Sequence, residues 1–568
     1  MKPLLLRITV VLAVLSLAIS ACKAPYNTGT PAPTQEQDGE QTEGGAQIIT
    51  GSVTYTNAFF TLGVAQPLVI LEDQGGFVVR DRQFVIPVES QVLGQITSDF
   101  YTSPFSYSLT LPEEPNGTLH DVDHDGKEET GVMVFAIAYW TNTWGDPYLE
   151  RRDLMGGAWS SAYASTRVSD NPELYLEVFG GKYLVYAPDD QQQFPSDFGA
   201  DKKLFTDDDP IMDLPAGWSV IDMDQSPFAL DRSEEVTIDL IEPESTALDD
   251  FSGLSYTEAF DKMLEKFTNE YAFTELKKID WAAKGEEFRP RFEEAEQKKD
   301  PHAYALALRD FLWSIPDTHI GFDQSLLNED FAIETEGGLG FAMRETDDGK
   351  VIANFILTGG PAAQAGMKWG AEIISLDGKP TAEVVEATAP WSSPFSNPII
   401  GRLQQLRYAI RFPMAKGQVE VTFKNPDEAE QTVTLDVVNE RQSFSYASFY
   451  YGQPATSLPV EYDVLPSGYG YLKVTSFADN DVLSIQVWER AIEYFNENEV
   501  PGVIIDMRVN GGGSGWLADQ MAAYFFEEEV VTGNTARYSK DTGEFYMDPG
   551  DEARMIPPRP ALQYHGPV

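Results

Sequence analysis

The spacing of apolar positions changes character twice along the chain. From about Ile49 to Ser245 the apolar residues come in short β-branched and aromatic runs, such as 52–60, 77–86 and 131–139, with turn residues between them. That pattern predicts a β-rich region over 49–245. The period then lengthens. Ser255 and Glu258 form a capping-box pattern, and Phe260, Met263, Leu264, Phe267 and Tyr271 follow at helical spacing. Asp300 and Pro301 open a later helix that carries Tyr304, Leu308, Phe311 and Leu312 on one face. We read both stripes as core, in a helical block over 250–325. Beyond it, short strands alternate with helices. Strands are predicted over 351–357 and 470–474, and a helix over 481–498 with Ile485, Trp488, Ile492 and Phe495 inward. Val503, Ile504 and Ile505 have the β-branched content of a buried strand, and a helix with Trp516, Leu517, Met521 and Phe525 follows.

Composition adds limits. At 568 residues there is room for about three or four domains. A formal charge of −50 repels nucleic acid and anionic headgroups, which excludes nucleic-acid binding. Residues 23–48 hold mostly Pro, Gly, Thr, Gln and Glu and predict a disordered tether. The single cysteine, Cys22, ends a segment in which Lys2 and Arg7 precede an apolar run too short for a comfortable membrane span. Ile19-Ser20-Ala21-Cys22 resembles a bacterial lipobox. The resemblance implies a signal peptide over 1–22, lipid on Cys22 and an extracytoplasmic protein anchored to the bacterial membrane. A lipidated Cys22 leaves no disulfide, and no second span is expected.

Three patterns carry candidate chemistry. The first is 502–516, where the 503–505 strand runs through Asn510 into Gly511, Gly512 and Gly513 and on to a helix start. Glycines allow close backbone approach and helix-terminal amides carry positive partial charge, so this is an anion site, for a phosphate or an acyl-transfer oxyanion. Gly513-Ser514-Gly515-Trp516-Leu517-Ala518 also matches a dinucleotide fingerprint, but no suitable acid ends a second strand about 20 residues on. Ser514 fails the nucleophile-elbow pattern because Trp516 stands at its last position. The second pattern is Asp121, Asp123, Asp125 and Gly126, with Lys127 offering a carbonyl and Glu129 following. Alternating oxygen ligands before a glycine suit a structural Ca²⁺ loop, although Val132 excludes an EF-hand. His120 and His124 beside it are read as surface residues. The third is Asp317-Thr318-His319, in a polar turn after the helical block, where a general base can be displayed.

Gly338-Leu339-Gly340-Phe341, then Gly360-Pro361-Ala362-Ala363-Gln364-Ala365-Gly366, then Ile373-Ile374-Ser375-Leu376-Asp377-Gly378 resemble a PDZ domain over 333–440. Amides of Leu339, Gly340 and Phe341 would receive a terminal carboxylate, and the next strand edge would pair with an extended peptide. With the helical block, the D-T-H turn, the 470–477 strand and V-I-I-D-M-R-V-N-G-G-G, residues 250–568 resemble the tail-specific, or C-terminal processing, serine peptidases. The implied fold is multidomain: a β-rich N-terminal region, a helical block, an α+β PDZ domain, and over 441–568 an incomplete α/β crotonase/ClpP-like core.

The resemblance implies His319 as general base in the tricorn-like branch, with Thr318 as an assisting residue beside it. It implies an oxyanion amide at Gly512, with Gly511 as the alternative, and no cofactor for catalysis. The family's nucleophilic serine, and the lysine or glutamate beyond it, would lie after Val568, so the chain is expected to be truncated and inactive as it stands. A Ser–Lys member of the family would also carry its lysine there. The alternative function is a non-catalytic PDZ lipoprotein scaffold. Expected partners are proteins or peptides with free C-termini.

Overall fold

A computed structural model describes residues 44–56, 68–80, 91–124, 130–140, 163–169, 174, 177–240, 248–452, 457–477, 481–539 and 542–568. Cys22, the signal segment and most of the tether lie outside the described residues, as do Asp125, Lys127 and Glu129 of the aspartate run.

The N-terminal region builds an eleven-stranded sheet. Its first strand, Ile48–Val53, pairs antiparallel with Phe105–Thr110 and parallel with Glu235–Thr237, which joins the two ends of the region. Alternation along Phe105–Thr110 sends Phe105, Tyr107 and Leu109 inward, where they meet Phe135, Tyr139 and Trp218 in one core. Tyr183, Val185, Phe194 and Phe205 belong to a second. The Tyr107 hydroxyl donates to the Ile238 carbonyl at 2.5 Å, so its buried polar end is satisfied.

Two sequence readings fail here. The run over 77–86 is not a strand where it is described, because Gly75–Val78 forms one helical turn. Asp73 Oδ1 accepts the Gly75 amide at 2.7 Å and so starts the turn, and a Cβ at Gly75 would lie 2.6 Å from His120 Nε2. His120 is not a surface residue: its Nε2 is buried, and burial lowers its pKa against the charge of Asp73. His124 stays partly exposed, 3.6 Å from Asp207.

The helical block comprises Tyr256–Glu270, Trp281–Lys298 and Pro301–Trp313. The Ser255/Glu258 capping box is formed, and Asp300 caps the third helix by accepting the His302 and Ala303 amides. The helices pack through aromatic side chains. Phe260 stacks on Phe292 at 4.2 Å and meets Phe311 edge-on at 5.2 Å.

A six-stranded sheet follows, in the order Phe341–Glu345, Val351–Ile356, Glu372–Leu376, Gln418–Lys424, Glu430–Asp436, with Lys379–Pro380 beside the third. All its pairings are antiparallel, and Phe341–Glu345 is an edge strand. The helix Pro398–Tyr408 packs Leu403 and Leu406 against its core. The last unit has Gly470–Val474 between antiparallel Val460–Val464 and parallel Val503–Asp506. The helix Asp481–Glu497 covers it through Trp488, Ala491, Ile492 and Phe495. A parallel neighbour needs a crossover of this kind, and the helix supplies it.

Candidate active site

The strand Val503–Asp506 delivers the chain into the N-G-G-G loop. At its end Asp506 is buried and accepts the Tyr471 hydroxyl at 2.5 Å and Arg508 Nε and Nη2 at 2.9 and 2.6 Å. Those bonds, Arg508 first, hold its carboxyl far below the usual range despite burial. A fixed Asp506 fixes the start of the loop.

The loop itself is tied on both sides. The Gly511 amide donates to the Thr475 carbonyl at 3.1 Å. The Gly512 amide donates to Asn510 Oδ1 at 2.7 Å, and Asn510 Nδ2 donates to the Val474 carbonyl at 3.2 Å. The Gly512 carbonyl accepts the Phe477 amide at 2.8 Å. Gly512 and Gly513 have φ of +89° and +133°, a range that favours glycine. Among the described residues the Gly513 amide donates no hydrogen bond. Both amides singled out from sequence are thus engaged inside the loop, and an oxyanion would reach Gly512 only by displacing Asn510 Oδ1. The nearest side chain to Gly511 is Tyr450, whose hydroxyl lies 3.9 Å from where a Cβ would sit. Ser514 caps the helix Gly515–Ala522, its Oγ accepting the Leu517 amide at 3.1 Å, which gives that hydroxyl a structural role.

The D-T-H turn follows the third helix of the block. His319 is 95% exposed at its side chain, with Nδ1 3.4 Å from Asp317 Oδ1. Asp317 is buried. It accepts the Tyr271 hydroxyl at 2.5 Å and the His319 amide at 3.0 Å, and Lys277 Nζ stands 3.2 Å away. Burial pushes its pKa up, but the Tyr271, His319 and Lys277 bonds outweigh that and set it at about 2. Thr318 is held by an exchange with Ser396: its amide donates to Ser396 Oγ at 3.0 Å, and its Oγ1 accepts the Ser396 amide at 2.9 Å. The Asp317 carboxylate thus binds the His319 backbone amide, while the imidazole stands open to solvent beside it. Among the described residues no hydrogen bond or ion pair joins this turn to 510–513. Tyr271, read from sequence as core, proves to be the main partner of Asp317. Its place at the end of an apolar stripe hid the role, because a tyrosine there reads as packing.

In the G-L-G-F turn, Leu339 and Phe341 are buried and Gly340 has φ +77°. The Leu339 carbonyl accepts the Ala362 amide at 3.1 Å and the Gly340 carbonyl accepts the Leu357 amide at 2.8 Å. Of the aspartate run, Asp121 and Asp123 are described, and among the described residues no cluster of His, Cys, Asp or Glu could hold a metal.

Comparison with known proteins gives one family match and several distant structural ones. Mature CPAF complexed with lactacystin is 13% identical over 49% of this chain and 60% of its own, with a TM-score of 0.34. The photosystem II D1 C-terminal processing protease is 17% identical over 54% and 73%, at 0.23. A PDZ domain of the carboxy-terminal protease from Vibrio cholerae, in complex with peptide, is 22% identical over 18% and 94%, at 0.12. The chain spans about 60% of the length of the CPAF chain it matches. No curated protein sequence matches. Residues 468–568 match the model of peptidase family S41, and that match covers the strand–loop–helix unit that carries Asn510–Gly511–Gly512–Gly513.

Proposed function

We propose that this chain is part of an extracytoplasmic serine endopeptidase that cleaves proteins or peptides recognised near their C-termini. The observation that carries the reading is the N-G-G-G loop at the end of a family S41 strand, tied by Asp506 and Thr475. In this reading the G-L-G-F turn receives the substrate's terminal carboxylate and the Phe341–Glu345 edge pairs with the residues before it. His319, oriented by Asp317, takes the proton of a serine hydroxyl supplied from outside the present sequence. The serine oxygen bonds the scissile carbonyl carbon, and the loop amides take the charge on the carbonyl oxygen. Such a donor is typically worth about 2.7–4 kcal/mol. The leaving amine takes the proton back, and water then hydrolyses the ester.

Asp317 matters because a buried carboxylate that stays ionised holds one imidazole tautomer and stabilises the imidazolium. No cofactor enters the chemistry. Lipid on Cys22 would hold the protein at the membrane, and Ca²⁺ held by Asp121, Asp123, Asp125, the Lys127 carbonyl and Glu129 would stiffen the β-rich region.

The test is fluorophosphonate labelling of protein expressed from the complete reading frame. Labelling that disappears in His319→Ala, with the melting curve unchanged, is the expected result. A complete protein that resists the probe yet binds free-acid peptides would instead be a peptide-binding scaffold.

A further inference from the structure

Between Arg441 and Glu461 the chain carries no charged side chain, although charged residues make up 23% of it and its formal charge is −50. The first part of that run, 442–452, reads Q-S-F-S-Y-A-S-F-Y-Y-G. Tyrosine offers a large, stiff, amphipathic contact, and serine and glycine beside it supply adaptable hydrogen bonding. That is the chemistry of a surface that holds polypeptide.

The segment is anchored at one end and open at the other. In the short helix Gln442–Tyr446, Phe444 lies under Arg407, whose Cζ is 3.8 Å from the ring centre and whose Nε donates to the Phe444 carbonyl at 3.0 Å. Tyr446 stacks on Phe355 at 4.6 Å, and Phe355 pairs with Ala342 of the edge strand Phe341–Glu345. Tyr451 meets Tyr446 at 4.8 Å. The Ser448 hydroxyl and carbonyl accept the Tyr450 and Tyr451 amides at 3.3 and 3.2 Å, which fixes the turn that presents both rings. Yet Tyr450 and Tyr451 are 62% and 56% exposed. The Tyr450 hydroxyl stands 3.9 Å from where a Cβ at Gly511 would sit, so the open end of the segment abuts the N-G-G-G loop.

We infer that Tyr446, Tyr450 and Tyr451 form a strip that holds an extended, unfolded segment of the substrate beside the N-G-G-G loop, upstream of the substrate's free C-terminus. The inference rests on the reading of 510–513 as the loop that meets the scissile carbonyl and of 337–341 as the turn that receives the terminal carboxylate. One end of the strip lies on the sheet that carries the turn, and the other touches the loop. A chain held at the turn therefore brings its upstream residues to the strip at high effective concentration. Ring faces and hydroxyls meet backbone and apolar groups whatever the sequence. The missing charges serve the same end, because a charged strip would sort substrates by sign before they reached the loop.

The test measures binding of labelled peptides with uncharged side chains to the full-length chain by fluorescence anisotropy. Two peptides share their last residues and are about four and about fifteen residues long, the short one reaching no further than the turn and the edge strand. Each is made as the free acid and as the C-terminal amide. The long free acid should bind about tenfold more tightly than the short one, at low and high salt alike. Tyr450→Ala together with Tyr451→Ala should bring the two within about twofold and leave the short free acid unaffected. Tyr101→Ala removes a comparably exposed tyrosine from the N-terminal region and should leave the length advantage intact. Equal binding of long and short free acids, an advantage that collapses in salt, or one that survives the double substitution or is lost equally in Tyr101→Ala overturns the strip and leaves the carboxylate turn standing. Equal binding of acid and amide, or none of either, overturns the turn reading and the strip with it.

Discussion

The two glycine-rich turns, 337–341 and 510–513, read alike in sequence but leave different amides open. In the first, backbone carbonyls are engaged: Leu339 accepts from Ala362 and Gly340 accepts from Leu357. The Leu357–Gly340 bond brackets the Phe341–Ile356 pair, so the Phe341 amide stands on the free side of the edge strand. In the second, the Gly511 and Gly512 amides are themselves engaged, by Thr475 and Asn510. A glycine run therefore says that backbone can approach a ligand. It does not say which polar groups remain to meet one. The first turn has amides on an open edge, while in the second the Gly511 and Gly512 amides are taken and, among the described residues of 510–513, the Gly513 amide alone donates no hydrogen bond.

The supports of the two turns differ as well, and the largest expected effect is at the first. A Cβ on Gly338 would collide with the Glu440 carboxylate and the Arg411 guanidinium. Arg411 is buried, with Nε donating to the Thr335 carbonyl at 2.9 Å and Nη1 to Glu440 Oε1 at 2.8 Å. Removing one partner of a buried pair strands the other. Arg411→Ala should cost about 3–5 kcal/mol in the 337–440 unit and abolish free-acid peptide binding. Chemical denaturation followed by hydrogen exchange over that unit checks it. An unchanged stability would mean that the turn does not depend on this buttress.

Next in size is Asp317, which supports neither turn but the candidate base. Its carboxyl has a pKa of about 2 in the folded chain, against 3.8 for an ordinary aspartate. A depressed acid contributes stability above the unfolded pKa and loses it as pH falls through the folded one. The contribution is about 2 kcal/mol, complete above about pH 4 and fading towards pH 2. Asp317→Asn should therefore destabilise the helical block at pH 7 and converge with the parent near pH 2. Parallel stability curves across that window would contradict the assignment.

A direct contrast of the two turns comes from alanine at their left-handed glycines. Gly340→Ala and Gly512→Ala each incur roughly 1–2 kcal/mol of backbone strain. At Gly340 the new methyl also lies 3.2 Å from Pro361 Cδ, so peptide binding should fall with stability. At Gly512 nothing stands within 4 Å, so the fold should lose only the strain energy. Equal losses of peptide binding in both variants would erase the distinction.

Much of the fold was legible because periodicity and caps are local signals. The capping box at Ser255 and Glu258, the Asp300–Pro301 helix start and the strand 470–474 appear where the spacing places them. The 77–86 run misled because β-branched content says nothing of the helical turn that starts at Gly75, where Asp73 Oδ1 accepts the Gly75 amide. In the candidate site, Asp317-Thr318-His319 and Asn510-Gly511-Gly512-Gly513 stood out as sequence. Their partners did not. Tyr271 lies 46 residues from Asp317, Tyr471 lies 35 from Asp506 and Ser396 lies 78 from Thr318. Only tertiary packing brings such pairs together, and each partner alone reads as a core or loop residue.

The smallest effect is also the one that probes the second turn most closely. Asn510 uses both ends of its amide: Oδ1 takes the Gly512 N–H and Nδ2 gives to the Val474 carbonyl. Asn510→Ala removes both bonds and should cost about 0.5–1.5 kcal/mol, since the freed groups are partly open to water. Exchange at the Gly512 amide should then rise by about fivefold, while the Gly511 amide, held by the Thr475 carbonyl, keeps its protection. Asn510→Asp separates the two bonds, because it retains the acceptor for Gly512 and loses the donor to Val474. Restored protection at Gly512 in the aspartate variant would identify Oδ1 as the group a substrate oxygen must replace. Fast exchange in both variants would show instead that the Val474 bond holds the loop, and the two turns would then differ less than their hydrogen bonds indicate.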